Sequence, residues 1–328
     1  MKRILMCLLT LTILLCSCNS QDIPKTNVDL PPATEPVETP AAPSTESNGP
    51  GQEIVPAPEV NTQQPDVLLP ILGEPVREQI TYTVERDTLQ QEIRAENGIL
   101  LASVRYQLPL LQARGADGEI ITKGTTPERA RALEVTAAFN ENFEPWRQED
   151  VTLRQTVTED YTYRPDMFAM GMYYADELDF SVWQTEKLIS IRADSYSYYG
   201  GAHPNSMLLG WNFDLETGTY LNPLTLGEDE QAFRTLVAEE LILQADERAV
   251  RMGTEAAYLY WGDYRSILQN WNDYPVTFDT AGMTVRFSAY ELGSYASGAH
   301  EFTISYAFLK PYLGAYGCEM LGLTAGET

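Results

Sequence analysis

No Phe, Tyr or Trp occurs before Tyr82, and twelve of the twenty prolines fall between residues 19 and 75. A stretch built of Pro, Thr, Glu, Ser and Ala cannot bury enough apolar surface to offset the entropy lost on ordering it. Any core must therefore come from about Val76 onward, some 250 residues in which all the aromatic side chains lie. That length suits one large domain or two small ones sharing an interface. Hydrophobic residues make up 44% of the chain, enough for a real core.

The first residues read as an address. Lys2 and Arg3 precede a predominantly apolar run of twelve, Ile4 to Leu15, and Leu15-Cys16-Ser17-Cys18 ends it with a small residue directly before a cysteine. This is the pattern of a bacterial lipoprotein signal. Twelve residues rise about 18 Å as a helix, short of a bilayer span. Residues 1–17 are thus expected to be cleaved, leaving Cys18 as an acylated first residue whose two or three palmitate-type chains hold the protein on the membrane. Residues 18–75 then form a tether spanning roughly 40 Å as a coil and about 180 Å as polyproline II. The expected location is the cell envelope, with the domain facing away from the cytoplasm.

Cleavage removes Cys7 and Cys16, and acylation consumes Cys18. Cys318 is left as an unpaired thiol, read as a buried structural one. The net charge of −25 becomes two units more negative when Lys2 and Arg3 leave. Such a surface repels nucleic acid and favours cationic partners. With only His203 and His300 present, zinc-hydrolase signatures needing several close histidines are excluded. No cofactor is implied.

Within the folded part, Ile80–Val84 and Ile99–Leu111 read as strands joined at Asn97-Gly98, a pair suited to a tight hairpin. Thr126-Pro127-Glu128 starts a helix expected to run to about Phe143, with a second helical stretch after Pro145. Tyr173–Trp183 and Leu188–Tyr199 alternate as strands around a turn at 184–187, and Met207–Leu215 follows as another. Asp229–Met252 is a long amphipathic helix. Val276–Phe278 and Met283–Phe287 bracket Ala281-Gly282 as a hairpin, Glu301–Tyr306 is a last strand, and a short helix ends the chain. The plan is α+β, with antiparallel sheets and helices packed on one face. Two linked sub-domains are expected, 76–190 and 191–328.

Both histidines occupy the same tripeptide, Gly201-Ala202-His203 and Gly298-Ala299-His300, each after a tyrosine-rich run. The segment Ser195 to Pro204, followed by Trp211-Asn212-Phe213-Asp214 and Glu216-Thr217-Gly218, resembles the extracellular domain of RsiV-type anti-sigma factors. The segment Phe287 to Gly298 is similar to the second block of that family. A similar domain precedes the catalytic domain of PdaC-type peptidoglycan deacetylases. The resemblance covers residues 190 to 312, and residues 76 to 190 look like the companion domain. It implies a protein-binding or wall-sensing module outside the cell, with a lysozyme-type cationic hydrolase as the leading ligand; 47 acidic residues single out no catalytic pair, and the chain is read as not an enzyme. RsiV itself carries a cytoplasmic sigma-binding segment and a transmembrane helix where this chain has a lipobox, and two histidines leave no deacetylase metal site.

Candidate ligand-binding residues are Tyr198, Tyr199, Gly200, Gly201, His203, Tyr290, Tyr295, Gly298 and His300. Gly200-Gly201 can take backbone angles closed to other residues, and Pro204 restricts His203 to an extended form. The loop either presents His203 to a partner or forms a bulge that simply turns the chain. A metal site joining both histidines to Asp214 or Glu301 has no close ligand spacing to support it. Tyr258-Leu259-Tyr260-Trp261, with Tyr264 and Trp271 nearby, could stack on sugar rings, which makes a non-catalytic wall-glycan (peptidoglycan) module the alternative reading. The spacing Tyr260, Tyr264, Leu268 also fits a core stripe.

Overall fold

The computed structural model describes residues 78–148 and 151–323. The signal, Cys18 and the tether lie outside the described residues. The nine strands among the described residues belong to the unit Pro70–Thr328. They build a six-stranded sheet in the order β1-β2-β3-β4-β5-β6 and a three-stranded sheet in the order β7-β8-β9.

Strands β1 (Thr81–Arg94) and β2 (Leu100–Arg114) form an antiparallel hairpin. Its turn is the Asn97-Gly98 expected from sequence, with Gly98 at φ 85° and the Asn97 side chain accepting from Ile99 N–H. Among the described residues β1 pairs with β2 alone, so it is an edge strand. Helix α1 (Pro127–Glu141) starts where Thr126 Oγ1 accepts from Arg129 N–H, the N-cap chemistry that satisfies an orphan donor. After a single helical turn, Glu144–Arg147, helix α2 (Val151–Tyr163) carries the chain back. Strand β3 (Tyr174–Gln184) then returns parallel to β2, pairing Ala102–Tyr106 with Tyr174–Leu178. The sheet is therefore not purely antiparallel: the helical crossover brings the chain to the end from which β2 started.

Beyond Tyr106 and Leu178 the ladder between β2 and β3 stops, and side chains take over the freed backbone groups. Asn140 of α1 accepts from Leu111 N–H at 2.8 Å and donates to Leu111 O at 3.0 Å. Arg86 reaches across to Asp179 and to the carbonyl of Phe180, with its guanidinium 4.6 Å from the centre of the Phe180 ring.

Strands β4 (Leu188–Tyr198), β5 (Asn205–Asp214) and β6 (Thr219–Tyr220) complete the large sheet as an antiparallel meander. The boundary expected at 190/191 falls inside β4, which is hydrogen-bonded to β3 on one side and β5 on the other. Period-two alternation gives β4 two buried faces. Ile189, Ile191 and Ala193 meet Phe139 of α1 and Phe143 just beyond it, with Phe180 and Phe213 from the flanking strands. Each such Ile or Phe side chain contributes about 1.5–3 kcal/mol on burial.

The opposite face of β4 and β5 carries the small sheet, β7 (Val276–Phe278), β8 (Met283–Phe287) and β9 (His300–Ile304). Ser190 Oγ accepts from Phe278 N–H and Asn212 Nδ2 donates to Val276 O, both at 2.8 Å. Helix α3 (Glu230–Arg251), capped by Asp229, buries Phe233, Val237 and Leu241 in the same core as Val285, Phe287 and Phe302. Arg286 is the polar pin of this junction. Fully buried, it donates to the carbonyls of Ala193 and Leu209 in the large sheet and pairs with Asp194 and Glu301. Those partners are what make a buried guanidinium tolerable.

Candidate interaction surface

The two blocks that carry the family resemblance are about ninety residues apart in sequence and adjacent in space. Beyond β4, Tyr199 donates through its hydroxyl to Asp176 at 2.6 Å, and Gly200 and Gly201 take φ of 78° and 117°. These angles turn the chain sharply, and Tyr198 closes the turn by donating to Gly201 O at 3.3 Å. His203 follows on the exposed side. Its Nδ1 lies 2.9 Å from Pro204 O; a carbonyl only accepts, so Nδ1 is the donor in this contact. Tyr290 OH meets Nε2 at 3.2 Å, and the imidazole stacks on Tyr295 with ring centres 3.8 Å apart.

The second loop joins β8 to β9. Ser288 ties it to the large sheet by accepting from Leu208 N–H at 3.1 Å. Glu291 accepts from Ser288 N–H, and burial raises its carboxyl above the usual range. Tyr290, 51% exposed, has φ 73°. Gly298, at φ 76°, directs the chain into β9.

His300 has a different setting. It is 4% exposed, packed 5.0 Å from the Tyr260 ring, with Ser297 Oγ 3.4 Å from Nε2 and Arg248 3.5 Å from Nδ1. Burial first, and the Arg248 charge second, push its pKa down to about 4. It is an interior neutral imidazole that shapes the loop from beneath. The structure thus brings His203, Tyr290 and Tyr295 into contact, leaves Tyr198 closing the first loop's own turn and places His300 inside.

Among the described residues, no group of three or more His, Cys, Asp or Glu side chains could hold a metal ion. Asp214 accepts from Glu216 and Thr217 N–H and from Tyr316 OH. Glu301 is engaged by Arg192 and Arg286. Cys318 is a free thiol, partly buried against the α3 core.

The aromatic run divides. Tyr260, Tyr264, Leu268 and Trp271 are buried in the core, whereas Tyr258 is 77% and Trp261 39% exposed. Trp261 donates to the second loop, from its backbone N–H to Leu292 O at 2.9 Å and from Nε1 to Tyr290 O at 3.1 Å. Sequence reasoning also missed a shallow groove of about 450 Å³ beside Tyr198, lined by Met172, Tyr173, Glu177 and Tyr196. Its walls come from β3, β4 and the turn before β3, which only the strand register brings together.

No helix among the described residues is long and apolar enough to cross a membrane. No protein-family model matches the chain, and no curated protein matches it. Two solved structures similar to it are DUF3298 family proteins. One, from Bacteroides fragilis, has 17% identity and a TM-score of 0.43, covering 73% of this chain and 96% of its own. The other, from Pseudomonas aeruginosa, has 14% identity and a TM-score of 0.41, covering 72% and 95%.

Proposed function

We propose that this chain is a bacterial lipoprotein, anchored through acylated Cys18, whose RsiV-like ectodomain binds an extracellular cationic protein of lysozyme type without catalysing a reaction. The observation that carries the reading is the meeting of the two resembling blocks: His203 stacked on Tyr295 and bonded by Tyr290, at the surface. Tyrosine-rich loops give rigid contact area with a hydroxyl for hydrogen bonding, the composition of many binding sites. The excess of 47 acidic over 22 basic side chains speeds encounter with a basic partner, although screening over about 8 Å at physiological salt leaves specificity to the loops. The exposed Tyr258 supports the alternative, a wall-glycan module.

The test compares binding of the purified protein to lysozyme, to cytochrome c as a basic control and to intact peptidoglycan, at low and physiological salt. Lysozyme binding should persist at physiological salt and weaken at least tenfold in a Tyr198→Ala/His203→Ala variant, as expected for loss of an aromatic anchor. Equal affinity for both basic proteins, or no effect of the substitutions, would defeat the reading; retention on peptidoglycan alone would put the glycan module in its place.

A further inference from the structure

In the sequence Trp261 is one member of an aromatic run; in the fold it has a task of its own. Both of its N–H groups donate into the loop between β8 and β9, one to Leu292 O and one to Tyr290 O. Tyr290 is the one non-glycine residue with positive φ among the described residues. That backbone form is unfavourable for an ordinary side chain and persists only when its surroundings hold it. An indole N–H on the Tyr290 carbonyl is such a hold. The same two segments also touch backbone to backbone, since any side chain at Gly293 would run into the carbonyl of Leu259. From Tyr290 the connection passes to the first block through the hydroxyl on His203 Nε2 and through the neighbouring Tyr295 ring.

We infer that Trp261 is a positioning residue that holds the Tyr290 loop in its strained form, so that residues 258–261 and the two blocks make one recognition surface. Its role in recognition rests on the binding function proposed above. Physically, the fastening orders the loop before a partner arrives and removes part of the entropy cost of association. The ring of Tyr258 is exposed on the fastened segment.

Trp261→Phe keeps an aromatic ring and deletes the indole N–H. Amide hydrogen exchange would be followed at Glu291, Ser297 and Gly298, which donate within the loop to the carbonyls of Ser288, Ser294 and Tyr295. Exchange there should rise at least tenfold while α3 is unaffected, because only the local opening equilibrium changes. Affinity for lysozyme should fall about tenfold, with cytochrome c binding unchanged. Unaltered loop exchange overturns the inference whatever lysozyme does. Faster exchange with full lysozyme affinity overturns the role in recognition. If the unmodified protein does not bind lysozyme, the proposed function falls, and exchange alone decides whether Trp261 positions the loop.

Discussion

Gly201-Ala202-His203 and Gly298-Ala299-His300 are the same three residues, set in opposite surroundings. After His203 comes Pro204, which has no N–H to give a ladder, so the first tripeptide stays at a loop apex with its imidazole outside. After His300 come Glu301-Phe302-Thr303-Ile304, whose alternation builds β9 and carries the histidine in opposite Phe287. A short motif thus fixes the local turn, and the residues that follow decide which side of the surface its side chain faces. One histidine is available to a partner and the other to the core.

The comparison can be broken most directly at the histidines. His300→Ala should cost about 2–4 kcal/mol of stability, for the cavity left beside Tyr260 and the lost partner of Ser297. His203→Ala should cost less than about 0.5 kcal/mol, as expected for an exposed side chain. Urea denaturation of both variants measures this, and equal losses would erase the distinction.

Acid should reveal the same difference. The folded pKa of His300, about 4, lies below the value near 6.5 of an unfolded histidine. Between these values the unfolded chain binds a proton that the native state refuses. The contribution is therefore present above pH 6.5 and lost as pH falls toward 4, by up to about 3 kcal/mol. Glu291 has the opposite sign: its raised carboxyl pKa gives stability present at low pH and lost as pH rises through the carboxylate range. Denaturation midpoints from pH 7 to 4 should fall steeply in the native sequence and more gently in His300→Gln. Parallel curves would remove His300 as the source.

The glycines sharpen the comparison from the other side. Gly201 and Gly298 both have positive φ with open space where a Cβ would stand. Gly201→Ala and Gly298→Ala should each cost about 1 kcal/mol, from the backbone alone. Calorimetric melting of the pair checks this, and a several-fold larger loss at either site would mean that its loop is packed more tightly than its partner.

What could be read from the sequence was local chemistry. The turn at Asn97-Gly98, the cap at Thr126 and the hairpin at Ala281-Gly282 each depend on residues within a few positions of one another, and each stands where expected. The parallel pairing of β2 with β3 depends on how a crossover of almost sixty residues folds back, which no short window contains. Arg286 illustrates the same limit. Inside Met-Thr-Val-Arg-Phe it reads as the polar member of an alternating strand, and only the second sheet behind it turns that position into an interior one. At the surface, tyrosine-rich runs and glycine pairs marked both loops. The identical tripeptides do not separate the inward His300 from the outward His203, which only the residues after each of them do, and no short stretch of sequence ties Trp261 to Tyr290.

The edge strand β1 bears on how copies of this protein behave when crowded together. Fourteen residues with one unladdered side present a row of backbone donors and acceptors that another strand could adopt. The middle of that strand is Glu85-Arg86-Asp87, and Glu92 and Arg94 lie near its end. Arg86 and Asp87 are held to Asp179 and Arg147, and Arg94 to Glu92. A second copy docking edge to edge would have to desolvate these groups or part them from their partners. Charges along an exposed edge disfavour such pairing, so copies of the domain in concentrated solution are expected to resist joining through β1.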